Sequence, residues 1–153
     1  MTEVLFYHLE KRSLEDVLPG LVERTLARGW RGLIRTESSD RAQAIDNLLW
    51  TWSEESFLPH AQSGDGNAAT QPVLITVEED NANRARVLFL VGNTLPATLE
   101  RDLAVFERIV VLFDGRDDSA LSVVRRAWSE TKAAGHPTTY WRQSASGKWE
   151  KQA

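Results

Sequence analysis

Leu121, Arg125, Trp128 and Lys132 follow one another at i, i+4, i+7 and i+11, a spacing that lines them along one edge of a helix. Arg125 can fork onto a carboxylate, Trp128 offers a broad apolar face, and Lys132 adds a second positive point. Together they suit a peptide that is acidic and ends in a hydrophobic residue. The same four residues also suit a solvated basic edge with a half-buried Trp, and the spacing alone leaves both readings open. Trp50 is the second notable aromatic. It lies on a helix whose buried stripe reads Ile45, Leu48, Leu49, Trp52, and at about 100° per residue it points away from that stripe. It faces a partner, or a covering element such as the loop carrying Phe57.

Other chemistries find no residues to run them. The turn after the first strand reads HLEKRSLED, without the glycines that let a backbone approach pyrophosphate, and its acids oppose an anion at the helix start. His8, His60 and His136 form no short-spaced pair and no Cys supplements them, so no metal site and no cofactor is expected. No Gly-x-Ser-x-Gly elbow is present. The remaining alternative is a small α/β nucleotide-binding protein or enzyme using a cleft near His60 and Asp114 as an acid/base pair. His60 follows Pro59, however, and reads more simply as a loop histidine bonded to backbone.

The elements that must position these residues come from an ordinary globular composition. The chain has 153 residues, 42% hydrophobic and 26% charged, enough for one domain over 1–153 with its own core. Counting 18 Lys and Arg against 22 Asp and Glu gives a net charge of −4, which predicts little or no direct DNA binding. The absence of Cys and of a basic, apolar leader predicts a cytoplasmic protein, and no apolar run is long enough to span a membrane. Six Trp are many for this length, and Trp is enriched where proteins bind one another.

Hydrophobic periodicity predicts strands over 4–9, 32–36, 72–77, 86–91 and 108–113, several of them the continuous apolar runs of parallel sheets. Helices are predicted after Ser13 to Gly29, from 38 to 52, over 96–106, and over 119–134 with Gly135 as its stop. The last of these has a predicted core stripe of Ala120, Val123, Val124, Ala127 and Thr131. Residues 53–71 read as a loop, its mobile part over 64–70. Residues 138–151 read as a strand, a Ser/Gly turn and a short strand. The fold class is α/β: a Rossmann-like three-layer α/β/α sandwich, with a mainly parallel sheet of about five strands and an added C-terminal strand or hairpin.

Taken in order, LLWTWSEESFLPH (48–60), QPVLIT (71–76) and RRAWSETKAAGH (125–136) resemble the chi subunit of bacterial DNA polymerase III. The resemblance implies a non-catalytic subunit of the clamp-loader assembly, sharing in polymerase activity by complex membership only. It also implies a cytoplasmic, replisome-associated protein that holds the acidic C-terminal tail of single-stranded-DNA-binding protein. Trp50, Phe57 and Arg125 match family positions, and one pocket between Trp50, Phe57, Arg125 and Trp128 is the expected tail site. Trp128 stands where the best-known members have Tyr, so the same hydroxyl is missing. Leu121 stands where they have Lys, a charge Lys132 is placed to replace. A psi subunit and the clamp loader are the further partners the resemblance admits. The segment 141–153 runs beyond where the best-known members stop.

Overall fold

A computed structural model describes residues 2–10, 12–52, 58–92, 94–95 and 99–152. Among these, eight strands form one sheet: β1 (Glu3–Leu9), β2 (Gly32–Arg35), β3 (Ala61–Gln62), β4 (Val73–Thr76), β5 (Val87–Leu90), β6 (Arg108–Asp114), β7 (Thr138–Gln143) and β8 (Trp149–Lys151). Their spatial order is β3-β4-β2-β5-β6-β1-β7-β8. Every pairing is parallel except β7 with β8, which form the C-terminal hairpin. The expected count of about five strands plus a terminal hairpin misses β3, whose two residues pair with Leu74 and Ile75 from inside the polar loop. A two-residue strand, Ala61–Gln62, is too short to carry a hydrophobic period.

The helices are α1 (Leu14–Ala27), α2 (Ser39–Thr51), α3 (Glu100–Leu103) and α4 (Asp118–Ala133). Their ends are where side-chain chemistry puts them. Ser13 precedes α1, and the Asp16 carboxylate accepts from both the Ser13 backbone N–H and its hydroxyl, at 3.1 Å each, which ties the first turn to the residue before it. Gly29, at φ +78°, ends α1 in the left-handed region. The Asp117 carboxylate accepts from the N–H groups of Ser119 and Ala120 at the start of α4. The expected helix over 96–106 is one turn, α3, and residues 96–98 lie outside the described residues. Inside the 64–70 stretch there is a 3-10 turn, Ala68–Thr70.

Strand parity divides the core into two layers. Leu9, Ile34, Val73, Ile75, Phe89, Val110 and Leu112 pack on one face with α1 and the Ala42, Ile45 and Leu49 side of α2. Val4, Phe6, Leu33, Leu88, Ile109, Val111 and Phe113 pack on the other with Leu99, Phe106 and the Val124 side of α4. Strands buried on both faces carry near-continuous apolar runs, which is why β2, β4 and β5 show no alternation, the buried Arg35 and Thr76 coming only at the ends of β2 and β4. The opposite placement of the helices follows from handedness. From β2 the chain moves outward through α2 toward β4, whereas from β6 it moves the other way through α4 to β7, and right-handed crossovers put those helices on opposite faces.

Candidate functional site

On α4, Val124 and Thr131 are buried, while Leu121, Ala127 and Trp128 are partly buried against the same core. Val123, expected in the core stripe, is instead 38% exposed. At about 100° per residue around Val124, Leu121 and Trp128 lie within 60° of the buried centre and Val123 lies at 100°. Arg125 and Lys132 fall on the boundary beyond Trp128, and both are exposed. Among the described residues neither enters an ion pair. The Lys132 ammonium stands 4.8 Å from the Trp128 ring centroid, a cation–π contact that holds the charge at the rim. The Trp128 indole N–H is buried with no hydrogen-bond partner among the described residues. The four residues thus form one ridge, with apolar surface between two available cations.

Tyr140, on β7, is a residue the sequence reading passed over. β7 runs parallel to β1 with Phe6 opposite Tyr140, which turns Tyr140 toward the α4 layer and packs it with Trp128 against the same core. Its hydroxyl lies 2.7 Å from His8 Nδ1, and His8 Nε2 lies 2.7 Å from Glu10, which also accepts from Arg142 at 2.9 Å. Burial pushes the Tyr140 hydroxyl upward from its usual pKa, and the positive charges of Arg125 and Arg142 partly offset that. Burial also raises Glu10, but its hydrogen bonds and charge contacts with His8 and Arg142 hold it below the usual carboxylate range. The signal for Tyr140 was strand parity, which becomes readable only once the partner of β7 is known.

Of the single pocket expected between Trp50, Phe57, Arg125 and Trp128, the structure keeps Arg125 and Trp128 together and places Trp50 apart from them. Trp50 is on α2, in the opposite layer from α4. α2 packs beside β3 and β4, α4 beside β6, β1 and β7, several strand spacings of about 4.8 Å apart. Trp50 is 52% exposed and its ring lies against His60, centroids 4.6 Å apart. Phe57 lies outside the described residues.

The acid/base alternative fails on geometry. The His60 ring is turned to the carbonyl oxygens of Leu58 and Asp46 and to the Asp46 carboxylate, the backbone-bonded loop histidine that the sequence suggested. Asp114 ends β6, four strands away across the sheet from β3, and is bound to Arg116. The crevice at the carboxyl ends of the strands, where open α/β sheets take ligands, has a volume of about 470 Å3 and is bordered by Glu10, Glu37, Asp114 and Asp117 with Arg12, Arg41 and Arg116. The helix starts that would receive a phosphate there already hold their own carboxylates, Asp16 and Asp117.

Comparison with known proteins adds the family. The model for the family described as "DNA polymerase III chi subunit, HolC" matches residues 1–139. The chain is 28% identical over 117 residues to the probable DNA polymerase III subunit chi of Rickettsia prowazekii (strain Madrid E), covering 74% of this chain and 71% of that protein. It is 29% identical over 142 residues to the DNA polymerase III subunit chi of Escherichia coli (strain K12), covering 88% and 94% respectively.

Proposed function

The chain belongs to the DNA polymerase III chi subunit family, and from that membership we propose that it is a non-catalytic accessory subunit linking the clamp-loader complex to single-stranded-DNA-binding protein. It does so by holding that protein's acidic C-terminal tail along α4. The observation that carries this reading is the ridge of Leu121, Arg125, Trp128 and Lys132, with two cations that no carboxylate of the described chain occupies. Arg125 takes the terminal carboxylate, Leu121 and Trp128 wall the last apolar side chain, and Lys132 faces the preceding acids. Tyr140 packs with Trp128 behind this ridge, its hydroxyl bonded to His8.

A linking subunit needs two separate surfaces, and the two-layer fold offers them. Trp50, exposed on the α2 side, belongs to the surface turned to the polymerase assembly, either a psi subunit or the clamp loader itself. Both partners then bind at once without competing for side chains. The polymerase reaction is associated with this chain only through the complex, in the cytoplasm at the replisome. Among the described residues no helix is long and apolar enough to cross a membrane.

A tail held by one apolar contact and a few charges binds on the order of micromolar, about −8 kcal/mol. Several tails on an oligomeric partner raise the effective strength. The test is a titration with a labelled peptide copying the tail, once with its free carboxylate and once amidated. Tight binding of the free acid and weak binding of the amide support the reading; equal binding of the two removes Arg125 from the role given to it.

A further inference from the structure

A second groove lies on the α1 face, where the C-terminal hairpin extends the sheet past the helix. Tyr7, Trp141 and Trp149 wall it, Arg12 and Arg24 stand at its rim, and Gly20 of α1 opens its side; its volume is about 340 Å3. Trp149 meets Tyr7 edge-on, with centroids 5.2 Å apart at 88°. A Cβ at Gly20 would touch nothing within 4 Å, so the helix carries an interior glycine beside empty space. Arg12 lies ahead of α1 and Arg24 in its last turn, at opposite ends of a helical stretch of about 15 Å at 1.5 Å per residue. Asp16 also lines the groove, its carboxylate turned to Ser13 at the start of the helix, and Glu23 adjoins Arg24 in sequence.

The alternation of ring and guanidinium continues past the groove. Arg108, which is paired with Glu3 at 2.8 Å, lies 5.4 Å from the Trp30 ring centroid, and Arg28 and Arg86 lie 5.3 and 5.8 Å from it. We propose that this strip binds single-stranded nucleic acid, with bases stacking on Trp149 and Trp141 and phosphates meeting Arg12 and Arg24. A short acidic peptide needs one cation and one apolar pocket; repeated rings between repeated guanidiniums match a polyanion with a π-face on every unit. The chain carries a net charge of −4, and Asp16 and Glu3 stand among these guanidiniums, so binding is weak and strongly salt-dependent. The strip lies on the opposite face from α4 and does not depend on tail capture. Both hairpin tryptophans lie beyond residue 139, where the family match ends.

The experiment is fluorescence anisotropy of a labelled oligothymidylate of about 12 nucleotides, within the range of known single-strand sites, against the full chain at low salt. An oligouridylate, the corresponding duplex and the acidic tail peptide form the other arms. The proposal expects binding to thymidylate or uridylate in preference to duplex, the stronger of the two naming DNA or RNA as the ligand. Two or three phosphate contacts give a log–log salt slope of about −1.4 to −2.1. Trp149→Ala weakens binding about five- to a hundredfold, and Gly20→Met, which fills the groove while favouring the helix, does the same in a chain that still folds. Arg125→Ala leaves oligonucleotide binding in place while losing the tail peptide, which keeps the two sites' failures distinguishable. No binding at low salt, equal affinity for duplex, wild-type binding by both Trp149→Ala and Gly20→Met, or displacement of the strand by the acidic peptide overturns the proposal.

Discussion

Replacing Asp102 by Ala should be among the most damaging single changes in this molecule. Arg35, the last residue of β2, is 4% exposed, and Asp102, on α3, is 6% exposed. The guanidinium donates to both carboxylate oxygens, at 3.0 and 3.3 Å, and through Nε to the Glu78 carbonyl at 3.1 Å. One buried fork thus ties the central sheet to the short α3 and to the segment following β4. With Asp102→Ala the guanidinium stays buried without its anion, a loss of about 3–5 kcal/mol. At an m value of about 2 kcal/mol/M that lowers the urea midpoint by about 1.5–2.5 M, and it lowers Tm by about 6–20 °C at about 2–4 °C per kcal/mol. Arg35→Met with Asp102→Leu removes both charges and should return to within about 1 kcal/mol of the wild type. Urea unfolding followed by Trp fluorescence measures all three. A loss below about 1 kcal/mol for Asp102→Ala would refute the dry, paired arrangement, and a double variant as unstable as the single would show that shape, not stranded charge, is responsible.

Gly20→Ala should stabilise the chain by about 0.5–1 kcal/mol in the same assay, because the site is open and helical; a loss would mean that the groove wall is closed. Gly115→Ala should cost about 1–3 kcal/mol, since a methyl there collides with the His8 ring and displaces it from Tyr140 and Glu10; a neutral result would show that this cluster yields freely. Asp114 is held below its usual value of 3.8 chiefly by the Arg116 backbone N–H and then by its side chain. Its folded pKa is depressed, so its contribution is complete above the unfolded value and lost as pH falls through the folded one. Because the carboxylate is half-exposed, the effect should be under about 1 kcal/mol. Urea midpoints should fall less steeply below pH 4 in Asp114→Asn than in the wild type, and identical slopes would remove the Arg116 contact as a stabiliser.

Much of the fold is legible because local chemistry repeats it. Ser13 with Asp16, Asp117 ahead of α4, and Gly29 and Gly135 at left-handed ends announce their helices, and the apolar runs of β4, β5 and β6 announce a parallel sheet. Strand order is not local. It decides that α2 and α4 lie on opposite faces, and so that Trp50 and Arg125, both candidates the spacing singles out, cannot share a pocket. β3 and the turn of Tyr140 toward α4 depend on pairing partners, which no window of sequence contains. Val123 was misjudged by a smaller margin: hydrophobicity favours it, but the rotation of α4 places Trp128 nearer the core.

The central claim, that α4 captures a carboxylate-terminated acidic tail, is tested most directly by titrating one labelled tail peptide against wild type, Arg125→Ala and Trp50→Ala. Wild type should bind on the order of micromolar. Arg125→Ala should weaken binding about tenfold to a hundredfold, the worth of a charged hydrogen bond of roughly 1.5–3 kcal/mol. Trp50→Ala, on the opposite face, should bind as the wild type does. Loss of binding in Trp50→Ala with none in Arg125→Ala would contradict the account, because the tail would then lie on the α2 face.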